Sequence, residues 1–172
     1  MTDEKKCKIV IFGAFGAGKT TLIRTLDPES THVEADCTGG TTTVALDYGR
    51  LQVNGHSVYL FGTPGQERFG FAREIISKGM DGAVLLVDVT SPVDDFIHHL
   101  HDSLCAARIP FVIFLNKCDS VGAQPESIQK EFSNTVMVKV SAKDRKQSIK
   151  ALCTFAETLP PHRDVHSPGH LF

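Results

Sequence analysis

Short apolar runs separated by polar, glycine-rich segments recur along this chain. The run Ile9-Val10-Ile11-Phe12 is continuous, as in a strand that is buried on both faces, and apolar residues at helical spacing follow it. The same alternation continues to a closing amphipathic helix that ends before Pro160-Pro161. Predicted strands span 8–12, 44–53, 56–61, 83–89, 111–115 and 136–140, and predicted helices span 18–26, 93–107, 128–132 and 147–159.

Alternating strands and helices predict an α/β fold with three layers, in which helices cover both faces of a mostly parallel six-stranded sheet. Asn54-Gly55 predicts a hairpin, because both turn positions need positive φ, and this hairpin makes one strand antiparallel. The segment 29–42 is polar, lacks an apolar period and is predicted to be a loop. We expect one domain over residues 1–159 and a flexible C-terminal tail over 160–172.

Composition narrows the classes of function. The chain has 172 residues, 41% of them hydrophobic, and a net charge of −2, so it can build a core but shows no basic surface for nucleic acid. No apolar run approaches the roughly 18 residues of a membrane span, and neither Thr2 nor the C-terminal Leu171-Phe172 fits a lipidation signal. Five cysteines without a C-x-x-C pair favour reduced thiols. We expect a cytoplasmic protein with no nucleic-acid partner and no direct membrane anchor.

The segment from Gly13 to Thr20, with the sequence GAFGAGKT, lies between the first predicted strand and the first predicted helix. Its glycines allow the backbone to turn N–H groups toward phosphate oxygens at a helix N-terminus. Lys19 would add a positive charge near the β- and γ-phosphates, and the Thr20 hydroxyl suits Mg²⁺. This P-loop pattern predicts a site for a nucleotide.

Three further polar segments follow the carboxyl ends of predicted strands, where open α/β sheets bind ligands. They are Gly62-Thr63-Pro64-Gly65-Gln66, Asn116-Lys117-Cys118-Asp119 and Ser141-Ala142-Lys143. The Asp119 carboxylate accepts hydrogen bonds, so it matches the N1–H and amine of guanine, whereas adenine presents an acceptor at N1. The predicted ligand is therefore GTP/GDP, and a P-loop ATPase or kinase is disfavoured.

In this order the segments, together with Thr43, resemble the five signatures of Ras-like small GTPases over about residues 8–159. The segments 42–48 and 61–69 resemble, more closely, a prokaryotic branch of predicted GTPases related to the gliding protein MglA. This resemblance implies a GTP-binding molecular switch that hydrolyses GTP slowly without an activating partner. Its switch loops, at about 29–43 and 62–73, would report the γ-phosphate to protein effectors and regulators, roadblock-type dimers among them.

The resemblance also assigns roles to residues. Gln66 would orient the attacking water and Lys19 would stabilise the transferring charge, so both are predicted catalytic residues. Thr20 and Thr43 would hold Mg²⁺, with Thr41 and Thr42 as register alternatives to Thr43. Asn116 would tie the base loop to the P-loop, Lys117 would lie over the base, and the Ala142 N–H would contact the base oxygen. The predicted nucleotide-binding residues are Gly13, Phe15, Gly16, Ala17, Gly18, Lys19, Thr20, Thr21, Thr43, Gly65, Asn116, Lys117, Asp119, Ser141, Ala142 and Lys143.

Two positions depart from the family pattern. Gly62 stands where most Ras-like proteins have an aspartate that holds Mg²⁺ through water, so we expect weaker magnesium dependence. Phe15 stands where glycine is frequent, and its ring either obstructs the approach of Gln66 or packs outward against the switch loop. A GTP-loaded binding module that hydrolyses little is therefore the alternative to a hydrolase. We expect a monomer, with a nucleotide-dependent dimer as the alternative.

Other charged residues are predicted to be solvated. Arg68 and Arg73 are assigned to the surface of the switch helix, with an approach to the γ-phosphate as the alternative. His98, His99 and His101 are assigned to an exposed helix face rather than to a metal site.

Overall fold

The computed structural model describes residues 4–36 and 43–162, in which strands and helices alternate as the apolar pattern predicts. The strands are β1 (Lys6–Phe12), β2 (Thr31–Asp36), β3 (Thr43–Val53), β4 (His56–Gly62), β5 (Gly82–Asp88), β6 (Phe111–Asn116) and β7 (Met137–Lys139). The helices are α1 (Lys19–Leu26), α2 (Gly70–Ser77), α3 (Asp95–Ala106), α4 (Pro125–Glu131) and α5 (Arg145–Thr158), with a 3₁₀ turn at Glu67–Phe69.

The continuous apolar character of β1 reflects burial on both faces of the sheet. Ile9 and Ile11 are fully buried in a core cluster with residues of α1 and α5. Val10 and Phe12 are fully buried in a second cluster with residues of α3 and α4. Alternate residues of 9–12 thus supply two cores, which is why this part of β1 has no polar residue.

Two aspartates fix where the later helices begin. Asp94 Oδ1 accepts a hydrogen bond of 3.0 Å from the N–H of Ile97 at the start of α3. Asp144 Oδ1 accepts a hydrogen bond of 3.0 Å from the N–H of Gln147 at the start of α5. Each carboxylate pairs an N–H that has no partner inside the helix. The helices therefore begin two residues away from the starts predicted at 93 and 147.

The sheet has the strand order β2-β3-β4-β1-β5-β6-β7. β3 is antiparallel to both of its neighbours, and the other pairs are parallel, so the single antiparallel strand that the hairpin predicts is present. The described residues form seven strands rather than the predicted six, because 31–36 belongs to β2 and not to a loop. Residues 31–34 are exposed at the sheet edge, and an edge strand without a buried face carries no apolar alternation.

The topology brings the predicted motifs to one end of the sheet, where the parallel strands have their carboxyl ends. β1, β4, β5, β6 and β7 all end there, and β3 begins there because it runs in the opposite direction. Side chains near the start of β3 therefore lie beside those that follow the ends of β1 and β4. The described part of the tail, residues 160–162, returns toward β5, where His162 Nδ1 lies 2.8 Å from Asp81 Oδ1.

Candidate nucleotide-binding site

The P-loop joins β1 to α1 with the backbone shape that its glycines permit. Gly16 and Gly18 have φ of 79° and 105°, which L side chains rarely adopt. Lys19 Nζ donates hydrogen bonds of 2.8 Å to the carbonyls of Gly13 and Ala14. Burial lowers the pKa of Lys19 to about 8. A cation is thus held inside the loop in a desolvated position, where an anion would stabilise its charged form.

Asn116 connects the base motif to the P-loop and to the segment 141–143. Its Nδ2 donates to the Ala17 carbonyl at 2.9 Å, and its Oδ1 accepts from the Ala142 N–H at 2.9 Å. A Cβ at Gly18 would lie 2.5 Å from Asn116 Nδ2, so this approach requires glycine. The link between Asn116 and the P-loop is as the resemblance implies. The contact of the Ala142 N–H with a base oxygen stays a prediction, because that donor is bonded to Asn116 here.

Lys117 reaches from the base motif to the P-loop. Its backbone has φ of 67°, and its Nζ donates to the Gly16 carbonyl at 2.9 Å and to Asp88 Oδ2 at 2.6 Å. The stem of the side chain therefore spans the gap between the two loops, beside the exposed Asp119.

Two adjoining cavities lie between these loops. The first, of about 110 Å³, is lined by Asn116, Lys117, Asp119, Ser120 and the segment 141–143. The second, of about 450 Å³, is lined by P-loop residues and by 63–65. Gly18 and Thr21 line both cavities, so the two cavities adjoin. Residues of the base motif therefore line the first cavity, and P-loop residues line the second.

Asp47 is a residue of this site that the sequence prediction missed. It lies on β3, is 8% exposed, and its Oδ2 accepts a hydrogen bond of 2.7 Å from the Thr20 hydroxyl. It is the cross-strand partner of Gly62 at the end of β4. A Cβ at position 62 would lie 3.2 Å from the Asp47 Cβ, so the two positions share one space. The sequence could have predicted this pairing, because counting residue by residue outward from the turn Asn54-Gly55 places Asp47 opposite Gly62.

His32 supports the Asp47 carboxylate from the neighbouring strand β2. Its Nδ1 lies 2.7 Å from Asp47 Oδ1, and its Nε2 lies 3.1 Å from Glu34 Oε1. These hydrogen bonds, chiefly that to Asp47, raise the pKa of His32 above its ordinary value. One oxygen of Asp47 is thus held by His32, and the other faces Thr20.

The oxygens of Thr20 and Asp47 fit a magnesium site. Mg²⁺ prefers oxygen ligands at about 2.0–2.1 Å in octahedral geometry, in which adjacent ligands are about 2.9 Å apart. The Thr20 hydroxyl and Asp47 Oδ2 are 2.7 Å apart and line the cavity that Lys19 also lines. The side chain of Thr43, at the start of β3, lies outside the described part of the chain, as do Thr41 and Thr42 entirely.

The segment after β4 lies against the P-loop. The Phe15 N–H donates to the Gly65 carbonyl at 3.0 Å, and a Cβ at Gly65 would lie 2.7 Å from Lys19 Nζ. Gln66 follows, but its Oε1 accepts a hydrogen bond of 2.9 Å from Arg68 Nε. The Gln66 side chain is therefore engaged with Arg68 in this arrangement.

Three other predictions concern side chains around the site. The Phe15 ring is 79% exposed, which agrees with an outward position but not with packing against the switch loop. Arg73 is 3% exposed, so its assignment to the helix surface is wrong. On α3, His99 is exposed, but the His101 side chain is only 16% exposed and packs against Phe111 and Phe132, so the assignment of His101 to an exposed helix face is wrong.

Comparison with known proteins identifies the family. Residues 4–160 match the family described as the elongation factor Tu GTP binding domain. The chain belongs to this family. An uncharacterized protein of Methanocaldococcus jannaschii is 36% identical over 116 residues, which are 67% of this chain and 73% of that protein. Translation initiation factor IF-2 of Persephonella marina is 32% identical over 151 residues, which are 81% of this chain and 17% of the factor.

Solved structures show the fold of this GTP-binding domain. Elongation factor SelB from Methanococcus maripaludis, in complex with the GTP analogue GppNHp, has a TM-score of 0.72 at 20% identity and covers 97% of this chain. The cytosolic domain of the T. maritima FeoB iron transporter has a TM-score of 0.68 at 17% identity and covers 93%. This chain spans only 37% of the SelB chain and 67% of the FeoB chain.

The EF-Tu-type GTP-binding domain is a P-loop GTPase domain, so the predicted α/β fold and guanine-nucleotide site are confirmed at that level. The matches include the translation factors IF-2 and SelB, and a relation to MglA is not shown. No helix in the described ranges is long and apolar enough to cross a membrane.

Proposed function

We propose that this domain is a molecular switch that binds GTP, hydrolyses it to GDP and changes its loops as it does so. The two adjoining cavities, one lined by Lys19 and Thr20 and the other by Asp119, carry this proposal. Asp119 selects guanine by accepting from its N1–H and amine. P-loop amides and Lys19 bind the phosphates, and Lys19 stabilises the charge that develops during transfer.

The metal-binding role is proposed for Thr20, Asp47 and Thr43. Mg²⁺, when bound, neutralises charge on the nucleotide phosphates. Asp47 supplies the carboxylate that position 62 lacks, and its bond to His32 keeps one oxygen turned toward Thr20. We therefore propose that the magnesium site is not weakened by Gly62, because Asp47 provides the carboxylate from β3 instead.

Hydrolysis is assigned to Gln66, which orients the attacking water, while the Gly65 N–H faces the γ-phosphate. The hydrogen bond from Arg68 competes with a water molecule for Gln66 Oε1. We therefore propose slow turnover without an activating partner. The same bond favours the second candidate function, a GTP-loaded module that hydrolyses little and acts by docking.

Partners are proposed at the segments 29–43 and 62–73, whose positions change with the γ-phosphate. Protein effectors and regulators, with roadblock-type dimers or a second copy of this chain among them, would bind there. A kinship with MglA stays a prediction. The described cysteines, Cys7, Cys105, Cys118 and Cys153, are free thiols, which supports a cytoplasmic location.

The test is to identify the nucleotide that purified protein retains and to time single-turnover hydrolysis of GTP. Gln66→Leu should lower the rate by about 10- to 100-fold and leave GTP affinity unchanged. Gln129→Leu, on α4, is the matched control and should keep the wild-type rate. Full turnover in Gln66→Leu contradicts the catalytic assignment, and retained adenine nucleotide contradicts the switch. Stable GTP with no turnover in the wild type supports the docking module.

A further inference from the structure

Helix α2 faces the core with Ala72 and Ile76 but also with two polar residues, and two of its large apolar residues face outward. Arg73 and Ser77 are 3% and 2% exposed, whereas Phe71 and Ile75 are 54% and 62% exposed. Burying apolar side chains is the usual source of helix stability in a domain, so this orientation is unfavourable by burial alone. A specific interaction of the inward side chains must offset it.

The guanidinium of Arg73 supplies that interaction. Its Nη1 donates to the carbonyl of Gln66 at 2.7 Å and lies 3.4 Å from that of Pro64, and its Nη2 donates to the carbonyl of Glu67 at 2.7 Å. The guanidinium also stacks on Phe96 of α3, with 4.8 Å between Cζ and the ring centroid. Arg73 therefore joins the segment 64–67 to α3.

The other side of this segment is bonded to the P-loop. The Gly65 carbonyl accepts from the Phe15 N–H, so residues 64–67 lie between the P-loop and Arg73. The planar fork bonds the carbonyls of two adjacent residues through two separate nitrogens and stacks on Phe96 at the same time, and an ammonium group has no plane with which to stack. Arg73 Nε is buried and has no hydrogen-bond partner among the described residues. The hydrogen bonds of this guanidinium are therefore those that Nη1 and Nη2 donate to the segment 64–67.

We infer that Arg73 is a positioning residue for hydrolysis, which holds the backbone of 64–67 so that Gly65 and Gln66 face the phosphate cavity. This role rests on the proposed GTP hydrolysis, in which Gln66 acts on water. Arg73 acts through the backbone and touches no nucleotide. Arg68, by contrast, donates to the side chain of Gln66 rather than to the backbone of 64–67.

The test compares Arg73→Lys and Arg73→Met with the wild type and with Arg24→Met, a change at an exposed arginine on α1. Three quantities are measured: affinity for a GTP analogue, the single-turnover rate of GTP hydrolysis, and amide hydrogen exchange over residues 65–69 with the analogue bound. Thermal unfolding checks that each variant is folded. Lysine keeps the charge but not the fork, so it separates a positioning role from a purely electrostatic one.

In both Arg73 variants, amide exchange over 65–69 should be faster, and GTP should be hydrolysed at about one tenth of the wild-type rate or below it. Affinity for the analogue should stay within about threefold of the wild type. Unchanged exchange, or a wild-type rate in Arg73→Lys, overturns the inference. Parallel losses of affinity and rate in both variants also overturn it, because they indicate a general structural role. If the wild type does not hydrolyse GTP, the proposed function fails, and the exchange data alone decide whether Arg73 holds the segment.

Discussion

Asp47 and Gly62 are cross-strand partners, and the Asp47 carboxylate occupies the space beside Gly62 that a side chain there would need. The Asp47 Oδ2 lies 2.7 Å from the Thr20 hydroxyl. A carboxylate on β3 therefore reaches the P-loop threonine. The paired position on β4, the strand that leads to Gln66, is Gly62 and has no carboxylate.

Asp47→Asn should lower magnesium affinity by about tenfold or more, because an amide keeps the shape of the side chain and loses its charge. The measurement is a magnesium titration of the release rate of a fluorescent GDP. In the double variant Asp47→Gly, Gly62→Asp, the carboxylate returns to position 62 and should restore part of the affinity. Asp95→Asn, at an exposed position on α3, is the control. Wild-type magnesium affinity in Asp47→Asn would remove the assignment.

Nucleotide binding should take up a proton above pH 8. Burial lowers the pKa of Lys19 to about 8 in the free protein, and phosphate stabilises its charged form, so the pKa is higher in the complex. Affinity for GDP should therefore keep its maximum value below pH 8 and fall by up to about tenfold per pH unit above pH 8. Calorimetry at pH 8.5 in buffers of different protonation enthalpy measures the uptake. The same comparison at pH 7 should show little uptake by Lys19, and equal uptake at both pH values contradicts the prediction.

Asn116→Ala should lower the free energy of unfolding by about 2 to 4 kcal/mol, because it leaves the Ala17 carbonyl and the Ala142 N–H without their partner. Urea unfolding of nucleotide-free protein measures the change. Asn116→Asp keeps an acceptor for Ala142 but turns a second oxygen toward the Ala17 carbonyl, so it should be no more stable than Asn116→Ala. Asn134→Ala, at an exposed position, should stay within about 0.5 kcal/mol of the wild type. Equal stability of Asn116→Ala and Asn134→Ala would mean that the link carries no stability.

Asp119→Asn should change the base that the domain prefers. The amide nitrogen would meet the donors of guanine, whereas the C2 carbonyl of xanthine can accept from it. GDP affinity should fall by about 100-fold or more, and xanthosine diphosphate should bind better than it does to the wild type. Competition binding with both nucleotides measures the shift. Unchanged GDP affinity would show that Asp119 does not contact the base.

The sequence predicts most of the sheet and the nucleotide motifs because these depend on local patterns. A continuous apolar run fixes β1, and the glycine positions fix the turn that follows it. Asn54-Gly55 fixes the hairpin and its register. β2 was missed because residues 31–34 are polar apart from Val33 and show no apolar alternation, and its pairing with β3 is made by backbone groups that any residue supplies.

Asp47 and Arg73 were missed for different physical reasons. An aspartate within an alternating strand normally lies on the solvent face, and only the cross-strand register places Asp47 beside Gly62. The sequence of α2 has apolar residues at 71, 72, 75 and 76, so it does not decide which of them face the core, and the inward position of Arg73 comes with its bonds to 64–67. Long-range partners decide both positions, and no local pattern reports them.

The position of Asp47 on β3 separates two events that the loops of this domain can report. β3 begins directly after the segment 37–42, whereas Gln66 follows β4. Under the proposed function, a partner that moves β3 acts first on the Asp47 carboxylate, and a partner that moves α2 acts first on Gln66. Release of the proposed ion and loss of the proposed hydrolysis would then be separate responses to partners at different parts of the site.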